Sequence, residues 1–257
     1  MSKTNPGKIF LLATQKGGAG KSGLTQQSAL YCALELKKRT LLIDIEPQQN
    51  STTLFGIAFD PTVKSATALF EGLCTPAVVR HESGIDVIAA DDHLNGIPKD
   101  IKYIKNFILN VRELAKQYDA IFIDVPPSGE PLLTAAHAAA TDVVGLASCD
   151  GQSLEGLKKF MATIEKFKTQ VNPAMVTRGF VVNLYKPRRK NERALCEALY
   201  GTPAIAKALL CPPIQDFGWI NDAIQAAKPV WVGTRDKTDK KAAGQVLAFL
   251  KKVYGVK

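Results

Sequence analysis

No apolar run in the 257 residues approaches the roughly 20 needed for a helix to cross a bilayer. The opening, MSKTNPGKIFLLAT, is basic at its start but has no small-residue cleavage site after its short apolar stretch. It reads as a first strand rather than a secretion signal, and a cytoplasmic protein is expected. The cysteines are five, odd in number and widely spaced (Cys32, Cys74, Cys149, Cys196, Cys211). Neither a disulfide framework nor a CxxC zinc or redox pair is therefore expected, and they read as small, mostly buried apolar residues. Repeats, low-complexity stretches and long linkers are missing as well, so one domain over 1–257 is expected. With 46% apolar and 22% charged residues, the composition excludes disordered, collagen-like and coiled-coil classes.

Charge is unevenly shared. Residues 1–150 carry 14 Lys/Arg against 16 Asp/Glu, and residues 151–257 carry 19 against 8. A second half at +11 beside a first half at −2 points to an anionic partner, nucleic acid or an anionic membrane. Strand-length apolar runs at 8–14, 40–45, 84–90, 119–125, 142–148 and 178–184 alternate with helix-length amphipathic segments. Those lie near 22–37, 98–117, 130–140, 151–170, 190–199, 216–227 and 238–254. Runs that are apolar on both sides belong to strands covered on both faces. The alternation predicts an α/β fold, a doubly wound and mostly parallel sheet with helices on both faces and ligands at the strands' carboxyl ends. Segment 46–83 is the least regular part.

The first run leads straight into Gln15-Lys16-Gly17-Gly18-Ala19-Gly20-Lys21-Ser22, and then a helix begins. Glycines let such a turn take positive φ and aim successive backbone N–H groups at phosphate oxygens, with the helix N-terminus adding a favourable dipole. Lys21 would lie along the β- and γ-phosphates, and the Ser22 hydroxyl would coordinate magnesium. The general pattern GxxxxGK[ST] asks for glycine where this chain has Gln15, and Lys16 is an additional lysine five residues before Lys21. Asp124 ends the apolar run DAIFID, where a carboxylate can hold magnesium through its water shell. In LLIDIEPQQNST, Asp44 and Glu46 face the same side if the chain is still extended, which suits water positioning and magnesium organisation.

These residues resemble the ParA/MinD family of deviant Walker A ATPases, and most of all its small ParA-type partition ATPases without an N-terminal helix-turn-helix domain. KGGAGKS (16–22) matches the family's KGGxGK[ST], LLIDIEPQ (41–48) is similar to its strand ending DxDPQ, and IFIDVPPS (121–128) to its Walker B strand. VVNLY (181–185) and the stretch from Pro213 to Val230 resemble its adenine-side and C-terminal blocks more loosely. The resemblance implies a sandwich dimer that depends on ATP and Mg2+. Lys16, Gly17, Gly18, Ala19, Gly20, Lys21, Ser22 and Gly23 would cradle the nucleotide, Asn183 and the backbone near Pro213 would frame its adenine, and Ser22, Asp44 and Asp124 would organise the metal. Lys16 would reach the phosphates held by the other subunit, much as an arginine finger does, and Lys21, Asp44 and Glu46 would complete the catalytic set. Glu46 stands where the family has a second Asp. Its extra methylene must fold back to put the carboxylate in the same place, so slow intrinsic hydrolysis is expected.

Lys186-Pro187-Arg188-Arg189-Lys190, with Arg193 a turn beyond, heads a basic set that also includes Lys207, Arg235, Lys237, Lys240, Lys241, Lys251, Lys252 and Lys257. This fits sequence-independent attraction to DNA phosphates. The resemblance implies that ATP-bound dimers coat nucleoid DNA nonspecifically through residues such as Arg188, Arg189, Lys190 and Arg193, and that a ParB-like adaptor stimulates turnover. The final segment 245–257 puts Val246, Leu247, Phe249, Leu250, Val253 and Tyr254 on one broad face. Packing on the sheet is expected, ahead of a DNA-facing helix or a MinD-like membrane-associated tail. Other rivals are a DNA-binding scaffold with weak ATPase activity and a metabolic reductase or ligase. An iron-cluster reductase would need paired interface cysteines, a spacing this chain does not have.

Overall fold

Along Lys8–Thr14 (β1), Ile9, Leu11 and Ala13 enter one hydrophobic cluster while Phe10 and Leu12 enter another. A strand's period of two sends successive side chains to opposite faces, so a run apolar at every position must be covered on both. That requirement sets the architecture. The computed structural model describes residues 6–255 except 59, 61, 62, 64, 75, 130 and 151–153. Its other strands are β2 (Thr40–Asp44), β3 (Val79–Arg80), β4 (Asp86–Ile88), β5 (Ala120–Asp124), β6 (Asp142–Ser148) and β7 (Val176–Asn183). They form one sheet in the order β3-β4-β2-β5-β1-β6-β7, parallel throughout except for the short β3 at its edge.

Ten α-helices appear among the described residues: α1 (Lys21–Leu34), α2 (Asn50–Leu54), α3 (Ala68–Glu71), α4 (Ile101–Leu114), α5 (Leu132–Ala139), α6 (Leu154–Gln170), α7 (Lys190–Gly201), α8 (Pro203–Ala206), α9 (Gly218–Gln225) and α10 (Lys237–Tyr254). The buried side chains of α3 to α7 cover one face of the sheet, and those of α1, α9 and α10 cover the other. The doubly wound expectation holds. The open edge of β7 is closed by chain rather than by another strand: the Phe180 N–H donates to the Ala208 carbonyl at 2.7 Å and the Ile214 N–H to the Val182 carbonyl at 2.8 Å.

All six expected strands are present with ends shifted by two residues at most. Five elements fall outside the expectations: β3, α2, α3, α8 and a 3-10 helix at Asp92–Gly96, which are five residues or shorter and hold too few apolar positions to display a period. The expected starts of two helices, at 130 and at 151–153, lie outside the described residues, as does Lys257. In α10 the apolar face is buried, with Val246, Phe249, Leu250, Val253 and Tyr254 all in the core beside α1 and β1, so it packs on the sheet as expected. No described helix is long and apolar enough to cross a membrane.

Candidate phosphate-binding site

Where β1 ends, the chain makes the turn that the glycines foreshadow. Gly18 has φ 75° and Gly20 has φ 79°, both in the left-handed region that side-chain-bearing residues avoid, and Gly20 caps the N-terminus of α1. At Gly20 a Cβ would also sit 2.4 Å from the Asn183 side-chain nitrogen, which donates to the Ala19 carbonyl at 2.9 Å. The position is closed twice over. Gln15 is not among the positive-φ residues, so the turn needs no glycine there, and the departure from the general pattern costs nothing in backbone conformation. Gly23 lies where α1 meets α9, and a Cβ would meet Ile224 at 2.6 Å. Residues 16–23 line a cavity of about 210 Å³, which Glu46, Asn50 and Pro127 close from the opposite side.

Beneath the cavity lies a buried charge cluster. Strand register sets Asp44 at the end of β2 beside Asp124 at the end of β5, and both side chains are fully buried. Lys21, 6% exposed, is hydrogen-bonded to Asp124 Oδ1, and its Nζ is 3.9 Å from Glu46 Oε2. Asp124 Oδ2 accepts a bond from the Ser51 hydroxyl at 2.7 Å. Asp44 is occupied differently. Its Oδ1 accepts the Glu46 N–H at 2.9 Å, and its Oδ2 accepts both the Thr52 N–H at 2.7 Å and the Thr52 hydroxyl at 2.8 Å. Burial, and then the neighbouring Asp124 charge, push the Asp44 carboxyl up to about 7 against those three bonds. Burial also raises Glu46, with Lys21 pulling the other way.

Lys16, Lys21, Ser22 and Glu46 meet at the cavity, whereas neither Asp44 nor Asp124 lines it: Asp44 has both oxygens engaged by Glu46 and Thr52, and Asp124 by Lys21 and Ser51. The same-side expectation for Asp44 and Glu46 assumed extended chain, but β2 stops at Asp44 and the backbone turns there. Ser22 and Asp124 are hard oxygen donors of the kind Mg2+ takes, one by hydroxyl and one by carboxylate. Lys16 is exposed, and its Nζ donates to the Asp150 carbonyl at 3.1 Å.

Comparison with known proteins agrees with this geometry. The family model described as an AAA domain matches residues 7–177. The chain is 32% identical over 198 residues to the chromosome partitioning protein ParA of Caulobacter vibrioides, covering 72% of each. It is 32% identical over 179 residues to the chromosome-partitioning ATPase Soj of Thermus thermophilus, covering 69% of each. The chain belongs to the ParA/MinD family of P-loop ATPases. The fold of this ParA/MinD-family chain is also that of a Cyanothece McdA variant in complex with ATP, with TM-score 0.80 and 18% identity over 99% of this chain and 98% of that one. It matches as well the cobyrinic acid a,c-diamide synthase of Mycobacterium smegmatis with bound ATP analogue and magnesium, with TM-score 0.74 and 23% identity over 95% of this chain and 96% of that one. Likeness at those identities extends to the fold alone.

Two residues expected on the adenine side do not line the cavity. Asn183 is buried and pins the loop from behind through Ala19, and Pro213 is half-buried on the segment that closes β7. Arg188, Arg189, Lys190 and Arg193 are all exposed at the start of α7. Arg189 is 3.2 Å from Glu192 and 3.8 Å from Asp150. Arg235 is committed internally, paired with Asp239 at 2.9 Å and lying over the Trp219 ring at 4.9 Å. Sequence reading missed Ser51 and Thr52, the two hydroxyls that hold the strand-end carboxylates.

Proposed function

We propose that this protein is an ATP-driven partition switch. It would bind ATP with Mg2+ in the turn after β1, pair with a second copy around the bound nucleotides, and in that state bind DNA without regard to sequence. The observation that carries this reading is the contrast between the two lysines of the turn. Lys21 is buried between carboxylates that will yield it to a phosphate, whereas Lys16 stands exposed at the cavity and makes no ion pair among the described residues. A cation at the mouth of a phosphate site that is held only by a backbone carbonyl, with no carboxylate partner among the described residues, is available to a nucleotide held by another subunit.

Within one subunit the glycine turn and the start of α1 present N–H groups, and Lys21 adds its charge. Ser22 and Asp124 would hold the metal, which supplies charge neutralisation on the β- and γ-phosphates. Glu46, at the cavity wall, orients the attacking water. The DNA surface is the start of α7. Positive side chains there are disfavoured by the helix dipole, by about 0.3–1 kcal/mol each, yet a phosphate would meet both the cations and the free N–H groups. Beside it a groove of about 700 Å³ carries Lys186, Arg188, Lys237 and Lys241 on its walls. A ParB-like adaptor would stimulate hydrolysis, release the DNA and so move a cargo on the nucleoid in the cytoplasm.

Sedimentation with ADP or a nonhydrolysable ATP analogue, with and without nonspecific duplex DNA, tests the scheme. The wild type should dimerise with the analogue alone and then bind DNA. Lys21→Ala should bind no nucleotide, and Lys16→Ala should bind it as a monomer. Arg188→Ala with Arg189→Ala should keep the dimer, weaken DNA binding and reduce the salt slope by about 2. A Lys16→Ala protein that dimerises and hydrolyses normally would defeat the reading.

A further inference from the structure

Asp124 is the buried carboxylate on which the proposed metal site depends, and each of its oxygens has one hydrogen-bond partner among the described residues. Oδ1 takes Lys21 and Oδ2 takes the Ser51 hydroxyl. These two bonds are not equivalent. Lys21 belongs to the phosphate turn, and a bound phosphate competes for its ammonium group. Once Lys21 turns to phosphate, Ser51 is the remaining side-chain donor on Asp124 among the described residues, with the like-charged Asp44 alongside at strand spacing.

From this we infer that Ser51 is a positioning residue for the metal-binding carboxylate. It holds Oδ2 so that Oδ1 is presented toward the phosphates when Lys21 leaves. The inference rests on the proposed nucleotide site and deepens it. Ser51 is fully buried, so its hydroxyl has no water to turn to, and its bond to Asp124 spans from α2 to the end of β5. The neighbouring Thr52 gives a different connection. Its hydroxyl donates to Asp44 and accepts the Ala90 N–H at 2.9 Å, so it ties α2 to β2 and to the chain after β4 without touching Asp124. Two adjacent hydroxyls of one short helix thus serve two carboxylates separately. Thr52 fixes the path of the loop that carries Glu46, and Ser51 fixes the rotation of Asp124.

The test is the tightening of a fluorescent ATP analogue by Mg2+, taken as the ratio of its affinities with Mg2+ and with EDTA in each variant. A ratio within one protein is insensitive to a general loss of folded material. Ser51→Ala is expected to bind the metal-free analogue as the wild type does and to lose threefold or more of the Mg2+ gain. Thr52→Ala should lower thermal stability and keep the gain, and Ser51→Thr, which retains the hydroxyl, should restore it. Should Ser51→Ala fail to fold, Ser51→Cys, which fills the same space with a weak donor, takes its place and carries the same expectation. A Ser51 variant that keeps the Mg2+ gain to within threefold overturns the inference, and so does an equal loss in Thr52→Ala, which would mean that α2 acts only as a unit. A wild type that binds no analogue under either condition would instead overturn the nucleotide reading itself.

Discussion

Replacing Lys21 by Met in the nucleotide-free protein tests whether the charge cluster is balanced as described. The Met chain fills most of the space of the lysine stem but brings no charge. Lys21 is 6% exposed and contacts Asp124 at 0% and Glu46 at 4%, so its loss leaves buried carboxylates without their cation. Breaking a buried pair from one side costs about 3–5 kcal/mol, because the remaining charge stays out of water. For a chain of this size that corresponds to a fall in Tm on the order of 10 °C. The pH dependence has a definite sign. A carboxyl whose pKa is raised by folding keeps its proton in the native state where the unfolded chain has lost it, so stability falls as pH rises through that window. For Asp44 the window runs from 3.8 to about 7. Glu46 is raised by burial while Lys21 lowers it, so without Lys21 its window extends upward. The deficit of Lys21→Met should therefore be largest at pH 8 and shrink toward pH 5.5, where Glu46 can take a proton; the Asp44 window is common to both proteins and cancels in the difference. Urea and thermal unfolding of both proteins at the two pH values measure it. A deficit below about 1 kcal/mol at pH 8, or one that does not change between pH 8 and 5.5, would refute the charge accounting.

Glu46→Ala should lower ATP turnover on the order of 100-fold with little change in KM, since a misplaced or missing water-orienting group acts on the chemical step, and phosphate release under saturating ATP measures it. Turnover equal to wild type would remove Glu46 from the mechanism. Gly20→Ala meets both a left-handed backbone and the Asn183 side chain, so a loss of at least about 1–2 kcal/mol is expected in chemical denaturation, together with loss of binding of a fluorescent ATP analogue.

The fold was largely legible because its main signals are contiguous. A strand such as Ile9–Ala13 reads as apolar at every position because the sheet is covered on both faces, and an amphipathic helix such as α4 shows its period over 14 residues. What escaped reading lies mostly between β2 and β4, where α2 and α3 are one turn or little more and β3 is two residues long. Elements that short draw their stability from what they touch, which no local pattern reports. In α10 the sequence favoured packing on the sheet over a DNA-facing or membrane-associated helix without deciding it, because an apolar stripe reads alike against a sheet or a bilayer. The burial of Phe249 and Tyr254 against Phe10 and Phe122 decides it for this structure.

The site divides along the same line. The turn after β1 is one uninterrupted segment whose glycines declare its φ angles, so residues 16–22 stood out in the sequence as a candidate phosphate turn. The carboxylates could be named but not sorted, because the difference between them lies in who donates to them. Asp44 and Asp124 end neighbouring strands in register and look equivalent in sequence, yet one accepts three bonds from its own connecting loop while the other is held between Lys21 and Ser51. A signal for this was present in DIEPQQNST. The three consecutive hydroxyl residues that follow the buried strand after six residues, Ser51, Thr52 and Thr53, lie in a segment with few apolar side chains, and those that turn inward must find buried acceptors if that segment folds back onto the sheet. The acceptors within reach are the carboxylates at the strand ends. Adjacent hydroxyls on one short helix point in different directions, so each meets a different carboxylate, and this separates an aspartate held wholly by its own chain segment from one that shares its oxygens between Ser51 and the lysine of the turn.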